Sequence, residues 1–204
     1  MDGRRWKSAK PVTTETFQEA LLLAGRDDGP SMLFDLWAGG RLADGTLAAV
    51  LPSAWSAAEY PEAILGRRVW LTLFRMAAYP RPSAPMTLYR GAVPRYARGM
   101  AWTTKVSWAF RFASRWGAHL EPDEAVMTYG TPDEQAAELA RVATALEMAK
   151  KTGERLAHVY EATVAPDGVL AAVDVLLADG RGEAEVVVDP AYLPRPVRRW
   201  REPE

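Results

Sequence analysis

The chain of 204 residues contains no cysteine. Disulfides, thiolate zinc sites and a cysteine nucleophile are therefore excluded, and the composition fits a reducing compartment. Histidine is scarce: His119 and His158 are the only two, in unlike contexts and without metal-ligand spacing, so a histidine-based metal site is not expected. No apolar run approaches the roughly 20 residues that span a bilayer, and the charged start lacks the apolar stretch of a secretory signal. An excess of one charge is missing too. Lys and Arg number 25 against 26 Asp and Glu, a formal net charge of −1, which argues against retention on nucleic acid by bulk charge. Local basic patches survive that argument, as at Arg195, Arg198, Arg199 and Arg201. Gly180-Arg181-Gly182 lacks the third glycine of a dinucleotide fingerprint and precedes a strand, and there is no Walker phosphate loop and no nucleophile-elbow serine. These absences predict a soluble, cytoplasmic protein with no metal and no membrane association.

What is present is 49% hydrophobic and 10% aromatic, enough for one well-buried core and hence a single domain over 1–204. Residues 12–80 read as a helical N-terminal layer. Thr16-Phe17-Gln18-Glu19 has the form of a capping box before the apolar run 20–24, which Gly25 closes. From 32 to 79 the period stays helical, with stops expected at Gly39-Gly40, Pro52 and Pro61. The proline-rich break at 80–85 then changes the character of the chain. Strands are predicted at 86–91, 99–104, 155–165, 169–175 and 183–189. Between them, 106–116 reads as an amphipathic helix with Trp108, Phe112 and Trp116 on one face, and Thr131-Pro132-Asp133-Glu134 as the start of a second helix that Gly153 ends.

The feature richest in chemistry is Gly182-Glu183-Ala184-Glu185-Val186-Val187-Val188-Asp189. Read as a strand, it sets Glu183 and Glu185 on one face roughly 6 to 7 Å apart. Paired carboxylates beside an apolar run raise each other's pKa and resist burial, so they suit acid/base work or the stabilisation of a cation. The plain structural alternative is an exposed strand start kept soluble by two acids.

Three pieces stand in a telling order: Leu88-Tyr89-Arg90-Gly91, then Ala101-Trp102-Thr103-Thr104 running into a helix that carries Phe112, then Glu183-Ala184-Glu185. Together they resemble the arginine–serine–glutamate class of ADP-ribosyltransferases over residues 86–190. The resemblance implies an α+β fold of the split β-sandwich type, two small sheets forming an NAD cleft, with the helical layer in front. It implies Glu185 as the glutamate on the nicotinamide ribose, Glu183 as the acid that prepares the acceptor, and Arg90, Gly91, Trp102, Thr103, Thr104 and Phe112 as residues around NAD. The middle motif departs from the family pattern, since Ala101 stands where its first hydroxyl belongs.

The chemistry suits these groups. Breaking the bond between nicotinamide and ribose leaves positive character on the sugar, which a nearby carboxylate stabilises while a second prepares the attacking group. A guanidinium offers fixed donors to phosphate or ribose oxygens. The expectation is an enzyme moving ADP-ribose from NAD to an unidentified protein or nucleic-acid acceptor, in the manner of a toxin or effector. An NAD glycohydrolase and a catalytically inert binding module of the same shape are the alternatives. In this reading the two acids are expected to lie opposite Arg90 in one shared hollow that receives the dinucleotide.

Overall fold

The computed structural model describes residues 10–25, 27–117, 122, 124–152, 157–177 and 182–201, without the side chains of 115–117, 145 and 148–152. His119, Gly153 and the side chain of Trp116 lie outside the described residues. In chain order the elements are helices α1 (Thr14–Ala24), α2 (Asp28–Ala38), α3 (Thr46–Ala57) and α4 (Pro61–Ala77), strands β1 (Met86–Ala92) and β2 (Ala101–Thr103), and helices α5 (Val106–Gly117), α6 (Glu124–Tyr129) and α7 (Pro132–Thr152). Strands β3 (His158–Val164) and β4 (Val169–Ala172), the short helix α8 (Val173–Leu176), and strands β5 (Glu185–Val188) and β6 (Arg198–Arg199) complete them. The architecture is α+β. Two compact units divide it, one of residues 1–82 and 169–182, the other of 83–168 and 183–204.

In the first unit, α1 to α4 pack with α8 and β4 around an aromatic core. Trp55 meets Trp70 edge to face at 4.9 Å and Phe74 at 5.4 Å, the arrangement the ring quadrupole favours. Trp70, Leu73, Leu33 and Phe17 are fully buried, each such side chain contributing about 1.5–3 kcal/mol. The indole Nε1 of Trp70 donates to the Pro61 carbonyl at 2.7 Å.

Several boundaries differ from expectation for identifiable reasons. The cap of α1 is Thr13, whose hydroxyl accepts from the Thr16 N–H, so the helix starts ahead of the expected box. Pro52 does not stop a helix but lies inside α3. Its missing N–H deprives the Ala48 carbonyl of its helical partner, and the Tyr79 hydroxyl donates to that carbonyl at 2.5 Å. Burial raises the Tyr79 pKa, so the donor keeps its proton. The turn inside α4 comes from Gly66, at φ 71° and ψ 151°, a left-handed φ that glycine adopts without a Cβ penalty. The strand expected over 169–175 is half strand and half helix, since β4 gives way to α8 at Val173.

The second unit holds five strands of one sheet in the order β5-β2-β1-β3-β6, where two small sheets were expected. β1 and β3 pair antiparallel from Met86 opposite Val164 to Ala92 opposite His158. β2 pairs with β1 at Tyr89 opposite Thr103 and with β5 from Ala101 opposite Val187 to Thr103 opposite Glu185. Helix α5 lies on β1 at very close range. A Cβ on Gly91 would stand 1.9 Å from the Ala109 carbonyl oxygen and 2.4 Å from the Ala113 nitrogen, so only glycine fits there. Leu88, Met100, Ala109, Val164, Val187 and Val188 fill the core. The expected start of α7 is present as a reciprocal box: the Thr131 N–H donates to the Glu134 carboxylate at 2.7 Å, and the Glu134 N–H to the Thr131 hydroxyl at 3.4 Å. Among the described residues, no helix is long and apolar enough to cross a membrane.

Candidate functional site

The register of the sheet decides which side chains meet. Directly opposed residues of antiparallel strands point to the same face. Glu161, Tyr89, Thr103 and Glu185 are successive partners across β3, β1, β2 and β5, so the four form one row on one face. Tyr89 and Glu185 are half-buried and Thr103 is 2% exposed. At one end of the row, Glu161 pairs with Arg198 of β6 at 2.5 Å. At the other end stands Glu185, the first residue of its strand.

Glu183 does not share that strand. Gly182 and Glu183 form a bend and Ala184 has a left-handed φ of 51°, which breaks the alternation that would have placed both acids on one face. This corrects the simple strand reading of the Glu183-Ala184-Glu185 motif. A left-handed alanine costs roughly 1 kcal/mol or more and is held here by two bonds. The Thr103 hydroxyl donates to the Glu183 carbonyl at 2.6 Å, and the Thr104 N–H donates to the Ala184 carbonyl at 3.1 Å. Thr103 Oγ1 also accepts from the Lys105 N–H at 3.1 Å. A single buried hydroxyl thus joins the end of β2, the start of α5 and the main chain leading into Glu185.

Arg90 follows Tyr89 on β1 and leaves the strand on the opposite face. Its Nε donates to the Tyr96 carbonyl at 2.9 Å and an Nη to the carbonyl of Ala101. A Cβ on Gly99 would stand 2.3 Å from the other Nη. The guanidinium therefore fastens the turn after β1 to the start of β2, and the expected hollow with Arg90 facing both acids is not the arrangement observed.

The remaining expected residues divide. Trp102 is 2% exposed and its Nε1 donates to the Gly99 carbonyl at 2.9 Å, which makes it a core residue. Gly91 is covered by α5. Thr104 is exposed beside Ala184, and Phe112 is half-buried with its ring 5.9 Å from Trp108. The structure brings Thr103, Thr104, Glu183 and Glu185 together and leaves Arg90, Gly91 and Trp102 in structural positions.

Two members of this region were given no functional role from the sequence, which reads Tyr89 as a packing residue. Tyr89 sits opposite Thr103 in the row of Glu185, one position from the arginine that drew attention. Arg98 donates to the carbonyls of Pro190 at 2.5 Å, Leu193 at 3.0 Å and Pro194, tying the turn after β1 to the chain beyond β5. Nothing local marks Arg98, because its partners lie more than 90 positions away. No family model, curated protein or solved structure matches the chain.

Proposed function

We propose that this protein transfers ADP-ribose from NAD to a macromolecular acceptor, with release of nicotinamide. The observation that carries the reading is the junction of β2 and β5, where a buried threonine hydroxyl holds the strained backbone immediately ahead of a half-buried glutamate. Strain of this kind collects at sites that position a side chain for chemistry. A carboxylate so placed suits a reaction whose transition state carries positive charge on a sugar, because a preorganised charge needs no reorganisation when that charge develops.

The donor set fits NAD in part. Glu185 and Glu183 supply the carboxylates and Thr104 an exposed hydroxyl beside them, while Tyr89 offers an aromatic ring in the same row. Arg90 acts at one remove, by holding β2 in register so that Thr103 reaches Glu183. In this scheme Glu185 stabilises the ribosyl cation formed as the bond to nicotinamide breaks, and Glu183 accepts the proton of the attacking group.

The test is nicotinamide release from labelled NAD. Glu185→Gln keeps the shape and removes the charge, so release should fall about 100-fold or more with the melting temperature nearly unchanged. Wild-type release by that variant would refute the assignment. Label appearing on a lysate polymer identifies transfer, whereas free ADP-ribose alone identifies a glycohydrolase. An inert binding module, favoured by Ala101 in place of a hydroxyl, would give neither product.

A further inference from the structure

We propose that the C-terminal strip of residues 195–201 docks the phosphate backbone of a nucleic acid. The stretch from Pro190 to Arg201 carries four arginines, flanked by Asp189 and Glu202, in a chain whose net charge is −1, so any affinity for a polyanion is local. The strip is fixed in place. Arg98 holds the carbonyls of Pro190, Leu193 and Pro194, β6 pairs with β3 through Tyr160 opposite Arg199 and Glu161 opposite Arg198, and the Trp200 N–H donates to the Val159 carbonyl at 2.9 Å.

The strip nevertheless presents its charges outward. Arg195, Arg198, Arg199 and Arg201 are all exposed, the Arg198 side chain at 77%. β6 is the terminal strand of its order, and its Arg198 and Arg199 leave that open edge on opposite faces, with Arg195 and Arg201 before and after it. Among the described residues Glu161 offsets Arg198 and the Tyr160 side chain bonds Arg199, while Arg195 and Arg201 are exposed on either side. A nucleic acid matches this surface better than a single acidic group does, because it offers a regular row of phosphates and the guanidinium fork engages phosphate oxygens in pairs. Aromatic surface adjoins the strip: Trp200 meets Phe110 edge-on at 5.2 Å, and Phe110 is 48% exposed, a ring on which a base can stack.

The inference is independent of NAD chemistry and is tested on the full chain. Anisotropy of a fluorescein-labelled single strand of about 20 nucleotides is followed between about 50 and 200 mM salt. Binding should weaken steeply with salt. The triple variant R195A/R199A/R201A should bind at least about tenfold more weakly, with the slope of log affinity against log salt smaller by about 2, the value for three lost phosphate contacts on a single strand. R195A and R201A lie outside the paired residues of β6, and each alone should lower the slope by about 0.7, so a folding defect in the triple variant leaves the test intact. An unchanged slope in these variants overturns the proposal. So does equal binding of poly-glutamate, or binding to phosphatidylserine vesicles with none to the oligonucleotide.

Discussion

Replacing Thr103 by valine removes one hydroxyl and keeps the side chain's shape. Two hydrogen bonds disappear, the donation to the Glu183 carbonyl at 2.6 Å and the acceptance from the Lys105 N–H at 3.1 Å. A net hydrogen bond is worth about 1 kcal/mol, and a buried group left without a partner costs about 1–3 kcal/mol. Thr103 itself is 2% exposed, but Lys105 is exposed and Glu183 half-buried, so water recovers part of the loss. The expected cost is therefore about 2 kcal/mol, or roughly 4–8 °C in Tm for a chain of this size. Thr103→Ser keeps both bonds and loses one methyl, about 0.8 kcal/mol, so it should melt above the valine variant. The functional arm follows from the same contact: without its tether the backbone before Glu185 relaxes, and nicotinamide release should fall in the valine variant and recover in the serine variant. Circular dichroism melts and the release assay read the two arms. A valine variant that melts above the serine variant would refute the argument, since it would mean that the methyl group and not the hydroxyl matters here.

Tyr79→Phe strips the donor from the Ala48 carbonyl and should cost about 1–2 kcal/mol. In a Pro52→Ala background the restored N–H satisfies that carbonyl, so the loss should shrink to about a third in a double-mutant cycle; equal losses in both backgrounds would contradict the pairing. Gly91→Ala drives a Cβ into the backbone of α5 and should destabilise by about 2–3 kcal/mol, measured by urea unfolding, with a loss under about 0.5 kcal/mol counting against the close approach. The Glu134 carboxyl is held below its ordinary value of 4.5 by the Thr131 N–H and then by the Thr131 hydroxyl. Its contribution is present in full above that value and is lost as pH falls through the lowered one. An NMR titration of Glu134 should show the depressed midpoint, and Thr131→Ala should return it toward 4.5.

Legibility from sequence followed the range of the interactions. The box at Thr131 and Glu134 was readable because both partners lie within one helical turn. Met86 to Ala92, Val106 to Gly117 and His158 to Val164 were readable because period and punctuation agree there. Pro52 misled because its disruption is repaired by Tyr79, 27 positions away, and helix α6 was missed within the stretch between the two expected helices. The acidic pair was found, but its geometry was not. Alternation assumes extended backbone at Ala184, and the left-handed turn there depends on bonds from Thr103 and Thr104, which are distant in sequence.

Composition alone determined that thiol chemistry has no place here, and pattern alone that helices lead and strands follow. Only the tertiary structure decided what each candidate residue meets, because a side chain's partners across a sheet are set by register and by which face it leaves from. That register put Thr103 beside Glu185, turned Arg90 to the main chain of its neighbours, buried Trp102, and set Arg198 and Arg199 on an edge strand.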